Sequence, residues 1–165
     1  MDKTSNGVHL AAIVTKAAEN LLAEIKEPQS AIPLSAGKWS PRQVIGHLID
    51  SASNNHQRFV RANFQGDLIF PGYPQEQWVD LHGYQDWTWV DLLELWTRYN
   101  LLIARLVDRI PPAVLFQKQD QHNFHQIAWK TVPEDQAVTL DYFIKDYIGH
   151  LNHHVRQILP GFELA

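Results

Sequence analysis

Gly37-Lys38-Trp39-Ser40-Pro41-Arg42-Gln43-Val44-Ile45-Gly46-His47-Leu48-Ile49-Asp50 contains the sharpest helix start in the chain. Ser40 supplies the side-chain oxygen of an N-cap, Pro41 brings a pre-set φ to the first turn, and Gln43 stands where a capping box needs it. From there Val44, Ile45, Leu48, Ile49, Ala52, Phe59 and Val60 recur at helical spacing to about Asn63. Such a helix has an apolar face that other elements must cover.

Those elements are legible on both sides. Between about Thr4 and Ile25 the residues Val14, Ala17, Ala18, Leu21, Leu22 and Ile25 define an earlier amphipathic helix, which Pro28 and Pro33 prevent from continuing. Beyond the quoted helix, Gly66 to Trp87 is a long connection rich in Gly, Pro and aromatics. Thr88 and Asp91 then resemble a cap, and Trp89, Leu92, Leu93, Trp96, Tyr99, Ile103, Leu106 and Ile110 define a third helix ended by Pro111-Pro112. Ala113 to Val138 is again irregular, with a short hairpin or helical turn suggested around Phe124 to Lys130. The fourth helix runs from about Thr139 to Leu159, where Pro160-Gly161 stops it.

Four helices predict an all-α four-helix bundle, and long loops after helices two and three mean that tight hairpins do not join them all. No internal repeat, low-complexity run or linker divides the chain, so residues 1–165 read as one domain. The composition, 45% hydrophobic and 19% charged with six Trp, is sufficient for one good core. With no cysteine there is no disulfide framework, thiolate metal site or cysteine nucleophile. The net charge of −4 and the scattering of the 14 Lys and Arg argue against a nucleic-acid partner. No stretch approaches the ~18 apolar residues of a membrane span, and Met1-Asp2-Lys3-Thr4-Ser5 does not open a leader, so no membrane partner and a cytoplasmic location are expected.

Nine histidines are the compositional oddity. His150 and His154 stand four residues apart on one face of the fourth helix, where two imidazoles can converge on one ion, although nine histidines make one such pair ordinary by chance. On the helical wheel His154 lies on the inward flank and His153 outside it. On the second helix, His47 and His56 are nine residues apart and cannot both face one ion; periodicity alone favours His56 as the buried one, with His47 at the edge of the apolar face. His122 and His125 read as a solvated pair in a polar loop.

The quoted stretch Gly37 to Asp50 resembles the second-helix signature of the DinB/YfiT-like superfamily. Asp146-Tyr147-Ile148-Gly149-His150-Leu151-Asn152-His153-His154-Val155-Arg156-Gln157-Ile158 resembles its final metal-binding helix, and Leu95-Trp96 through Leu106 matches its third. The resemblance implies an up-down-down-up bundle, often a homodimer, with nickel, zinc or a similar divalent ion on three histidines. By position these are His47, His150 and His154, which displaces His56 from the ligand set.

Characterised relatives include S-transferases that use a low-molecular-weight thiol, and thiol-dependent isomerases, while others are described as metal-dependent hydrolases. The expectation is therefore a thiol S-transferase acting on a small electrophile, with a hydrolase as the alternative and a non-catalytic binding bundle as a third reading. Three imidazoles leave coordination positions open to water, to a substrate atom or to the sulfur of a borrowed thiol. No catalytic residue is assigned; Asp50 and Asp146, one turn from His47 and His150, are candidates to orient an imidazole or take a proton. Tyr73, Trp78, Tyr84, Trp87 and Trp129 in the long loops are candidates to wall an apolar pocket that selects a hydrophobic electrophile.

Overall fold

The computed structural model describes residues 5–163. Four long helices carry the architecture: α1 (Asn6–Glu24), α3 (Pro41–Arg61), α5 (Trp89–Val107) and α8 (Leu140–Ile158). Short turns lie between them: α2 (Glu27–Ser30), α4 (Gln75–His82), α6 (Pro112–Leu115) and α7 (Phe124–Ile127). The expected start of the first helix near Thr4 lies outside the described residues; within them, the Ser5 hydroxyl caps α1 by accepting from Val8 N. Ser40 and Gln43 form the anticipated capping box of α3, with Pro41 in its first turn.

Contacts between helix ends set the directions. Trp89, opening α5, donates its indole N–H to Leu21 O near the end of α1, while Gly7 N at the start of α1 donates to Asp108 just beyond α5. These two helices are antiparallel. Asn6 donates to Asp141 at 2.7 Å, so α1 and α8 start together. Late in α3, Phe59 meets Phe143 and Tyr147 early in α8, and these two run opposite ways. Since His56 of α3 meets Tyr99 of α5 and Gly46 lies against Tyr84 just before α5, α3 and α5 are parallel. The order is up-down-down-up, with α1 and α3 each packed on both α5 and α8.

Because α3 and α5 point the same way, segment 62–88 must return along the bundle. It runs beside segment 108–139, and the two are stitched together: Leu68 N donates to Gln121 O at 2.9 Å, and the Asn123 side chain bonds both Phe70 N and Phe70 O. Leu68, Phe70, Phe124, Ala128 and Val138 from these segments join the core. The loops thus cover the outer side of the α3–α8 pair.

Several local outcomes differ from the sequence pattern. The connection after α3 contains α4, which has no side-chain cap and one fully buried residue, Val79; packing on α3 selects it, and Gly83 ends it in the left-handed region at φ 60°. Near Phe124 the chain makes a helical turn rather than a hairpin, and among the described residues strand-like pairing is confined to the isolated bridges Leu68–His122 and Gln119–Val138. Helix α5 stops at Val107, so Ile110 reaches the core from the following turn.

Gly46 is required by a close approach: a Cβ there would overlap the ring and Cβ of Tyr84. Tyr84 cannot simply swing away, because the overlap begins next to its backbone. We expect Gly46→Ala to destabilise the fold by about 1–3 kcal/mol, visible as a lowered midpoint in urea or thermal denaturation, whereas alanine at the open position Gly66 should leave the midpoint nearly unchanged.

Candidate metal centre

His47 lies in the second turn of α3, and His150 and His154 lie in the C-terminal half of α8. The antiparallel pairing brings them to one level. Each offers a ring nitrogen within 4.8 Å of the other two, and the Nε2 atoms of His47 and His150 are 3.2 Å apart. His47 is completely buried and His150 is 9% exposed, while His154 is half-buried at the edge.

This donor set fits a divalent cation. Nitrogens about 2.0–2.1 Å from a tetrahedral ion stand about 3.3–3.4 Å apart, close to the observed His47–His150 separation. Burial, then the nearness of His154, holds His47 down to about 3. Burial followed by the other histidines holds His150 down to about 2, and burial lowers His154 against the opposing Gln157 bond. All three imidazoles are therefore neutral at pH 7 with lone pairs available, as ligation requires. His154 Nδ1–H donates to Gln157 Oε1 at 2.9 Å, which leaves its Nε2 unprotonated. Among the described residues the Nδ1 of His47 has no hydrogen-bond partner, so burial and ring packing keep that imidazole in place.

Aromatic rings close the surroundings. Trp39, which the pattern did not single out, lies 5.2 Å from His47 between ring centroids. Trp129 packs near His150 and His153, and Gly149 gives it room, since a Cβ there would stand 3.1 Å from the indole. Each inner histidine thus follows a glycine that admits an aromatic ring from a loop.

The remaining candidates are distributed differently. His56 is corrected from the buried position that periodicity suggests: it is half-buried beside Tyr99, because α3 packs on α5 and α8 at once and its covered face is wide enough to include His47. His153 is exposed and bonded to Gln157. His122 is not solvated; it is buried, with Nε2 on Gln136 O at 2.8 Å and Nδ1 accepting from Phe124 N, so it pins a loop. Asp50 accepts from Tyr84 OH at 2.7 Å and from His82 Nδ1 at 3.0 Å, and burial raises its pKa despite both. Asp146 accepts the backbone N–H groups of Trp129 and Lys130, each at 2.8 Å. These carboxylate bonds hold the loops, and among the described residues neither carboxylate bonds a histidine of the trio.

Beside the trio a cavity of about 240 Å³ opens between α3, α8 and the two loops. Of the loop aromatics, Tyr73 and Trp129 line it. Trp78 backs Tyr73, and Tyr84 packs beneath Trp87 away from the opening. The lining corrects the apolar pocket expected from loop aromatics, because Ser51, Asn55 and Arg58 of α3 also face it. A polar stripe on the second helix was the available sequence signal, four, eight and eleven residues after His47.

An up-down-down-up bundle with three imidazoles converging at the α3–α8 contact presents a donor set that could hold a divalent ion. The chain belongs to the DinB superfamily, whose family model matches residues 12–158. A protein of Oceanobacillus iheyensis named "Putative metal-dependent hydrolase" is 23% identical over 140 residues, covering 85% of this chain and 74% of that one. Proteins of the same name from Bacillus mycoides and Bacillus cereus are 30% and 32% identical over 60 residues, so the match spans 35% of their length. Among solved structures, YfiT from Bacillus subtilis, described as a probable metal-dependent hydrolase with an unusual four-helix bundle topology, superposes with a TM-score of 0.74 at 18% identity, covering 97% of this chain and 89% of that one.

The neutral trio has a consequence for stability. An imidazole whose folded pKa lies below its ordinary value of about 6.5 binds a proton more readily in the unfolded chain, so stability is full above that value and is lost as pH falls toward the folded pKa. In chelator-treated protein we expect urea stability to fall from about pH 6.5 toward pH 3, each fully buried imidazole contributing up to about 1.4 kcal/mol per pH unit. His47→Gln should make that slope shallower; an unchanged slope would contradict the assignment.

Proposed function

We propose that this protein is a metal-dependent hydrolase whose divalent ion is held by His47, His150 and His154. The observation that carries it is the convergence of three imidazole rings, each with a nitrogen within 4.8 Å of the other two, beside an open cavity. Three protein ligands are the number that leaves room for reactants, whereas structural sites are closed by four. An ion there supplies Lewis acidity toward a carbonyl or phosphoryl oxygen and acidifies water.

The chain's own residues prepare the centre. Burial keeps protons off His47 and His150, Gln157 sets the tautomer and direction of His154, and Trp39 and Trp129 restrict water on two sides. The names of the relatives favour hydrolysis over thiol transfer. Thiol transfer is the second reading, because the same open ion can acidify the sulfur of a small thiol and the described chain has no cysteine to compete for it.

Elemental analysis of untagged protein should find about one equivalent of zinc, nickel or a similar ion, with His47→Ala, His150→Ala and His154→Ala each lowering metal affinity by at least about tenfold. Hydrolysis of a panel of esters, amides and phosphate esters should stop on chelation and return with metal. Turnover that appears only when a thiol and an electrophile are supplied would select the second reading, and full activity in chelated protein would refute both.

A further inference from the structure

From His47, α3 continues through Ser51, Asn55 and Arg58 on one face, at steps of four, four and three residues. All three are buried, Arg58 to 5% exposure, and all line the cavity that His150 and His154 also line. A guanidinium so placed needs a counter-charge. Among the described residues the ion pairs are made by Arg42, His82, Arg98, His125 and Lys145, and none involves Arg58. The carboxylate lining the same cavity, Asp146, is taken by two backbone N–H groups.

Within the chain Arg58 donates to Pro71 O at 2.8 Å and to Asn55 Oδ1 at 3.3 Å, and it lies 5.8 Å over the Phe143 ring. These bonds use two of its five N–H donors. Burial lowers its pKa from the ordinary range, yet a guanidinium remains charged. A buried cation with unused donors, no carboxylate partner among the described residues and an open cavity beside it is arranged for an oxyanion, which would accept the planar fork and relieve the cost of the lone charge.

We propose that Arg58, with Asn55 and Ser51 beside it, is the anion-binding end of the substrate cavity, and that the substrate carries a carboxylate or phosphate at a distance from the bond that reacts. Phe143, beneath the guanidinium, precedes His150 by seven residues on α8, which separates the two ends by about 10 Å at 1.5 Å per residue. The position of the reacting bond rests on the metal-centre reading; the anion site itself does not.

Calorimetric titration of the full-length protein, with and without chelator, with hexanoate, hexyl phosphate and neutral hexanamide reads the anion site directly. At least one anion should bind about tenfold or more tightly than the amide, and the better of the two identifies the oxyanion. Arg58→Gln should abolish that preference and Arg58→Lys should retain part of it. In wild-type protein, which raises no question of folding, the Arg58 Nε–H resonance should move with the anion and not with hexanamide. Equal affinity for all three probes, or a preference that survives Arg58→Gln, would overturn the proposal and leave Arg58 as a tie to Pro71.

Zinc-loaded protein titrated with suberic acid monohydroxamate, its methyl ester and suberic acid monoamide, which lacks the hydroxamate, separates the two readings. A preference for the free acid without any gain from the hydroxamate sustains the anion site and refutes the metal centre. A hydroxamate gain with no preference for the acid does the reverse.

Discussion

Three imidazoles kept neutral at the crossing of α3 and α8 are the constraint around which the molecule is arranged. Taking ionisable rings out of water disfavours their charged form, and here that cost is aligned with ligand chemistry, since the neutral ring is the one that offers a lone pair. The effect requires the helices to be antiparallel and their facing surfaces covered. His47 is fully buried although it stands at the margin of its helix's apolar face, so the neighbouring helices decide its protonation state.

The long loops supply the cover. Segments 62–88 and 108–139 are joined by backbone pairing and by Asn123, and each is fastened to a bundle helix by a buried carboxylate: Asp50 takes Tyr84 and His82, and Asp146 takes the N–H groups of Trp129 and Lys130. Burial pushes both carboxyl groups upward in pKa, while their hydrogen bonds and the nearby His82 and Lys130 pull the other way. Gly46 and Gly149 let aromatic rings from those loops lie against the helices one residue before His47 and His150. The same covering leaves a polar cavity, because α3 turns Ser51, Asn55 and Arg58 toward it.

Much of the scaffold was legible in local chemistry. The Ser40-Pro41-Gln43 start, the Thr88 cap and the 3.6-residue apolar period are properties of short windows, and the long helices follow them. Helix α4 was not legible, since it has no side-chain cap and only Val79 fully buried, and packing on α3 selects it. Periodicity pointed to His56 because a wheel averages one apolar direction, whereas α3 is covered by two helices at once. The family signature, which encodes position rather than direction, named His47.

The sequence by itself determined the four long helices, the absence of a cysteine thiol and the i, i+4 pair of His150 and His154, because capping, residue type and helical spacing act within a few residues. Tertiary structure alone decided that His47 is fully buried, that Asp50 and Asp146 fasten loops, that His122 is buried, and that Arg58 faces the cavity without a carboxylate partner among the described residues. These outcomes depend on desolvation and on partners from distant segments. Neither exists until the helices pack.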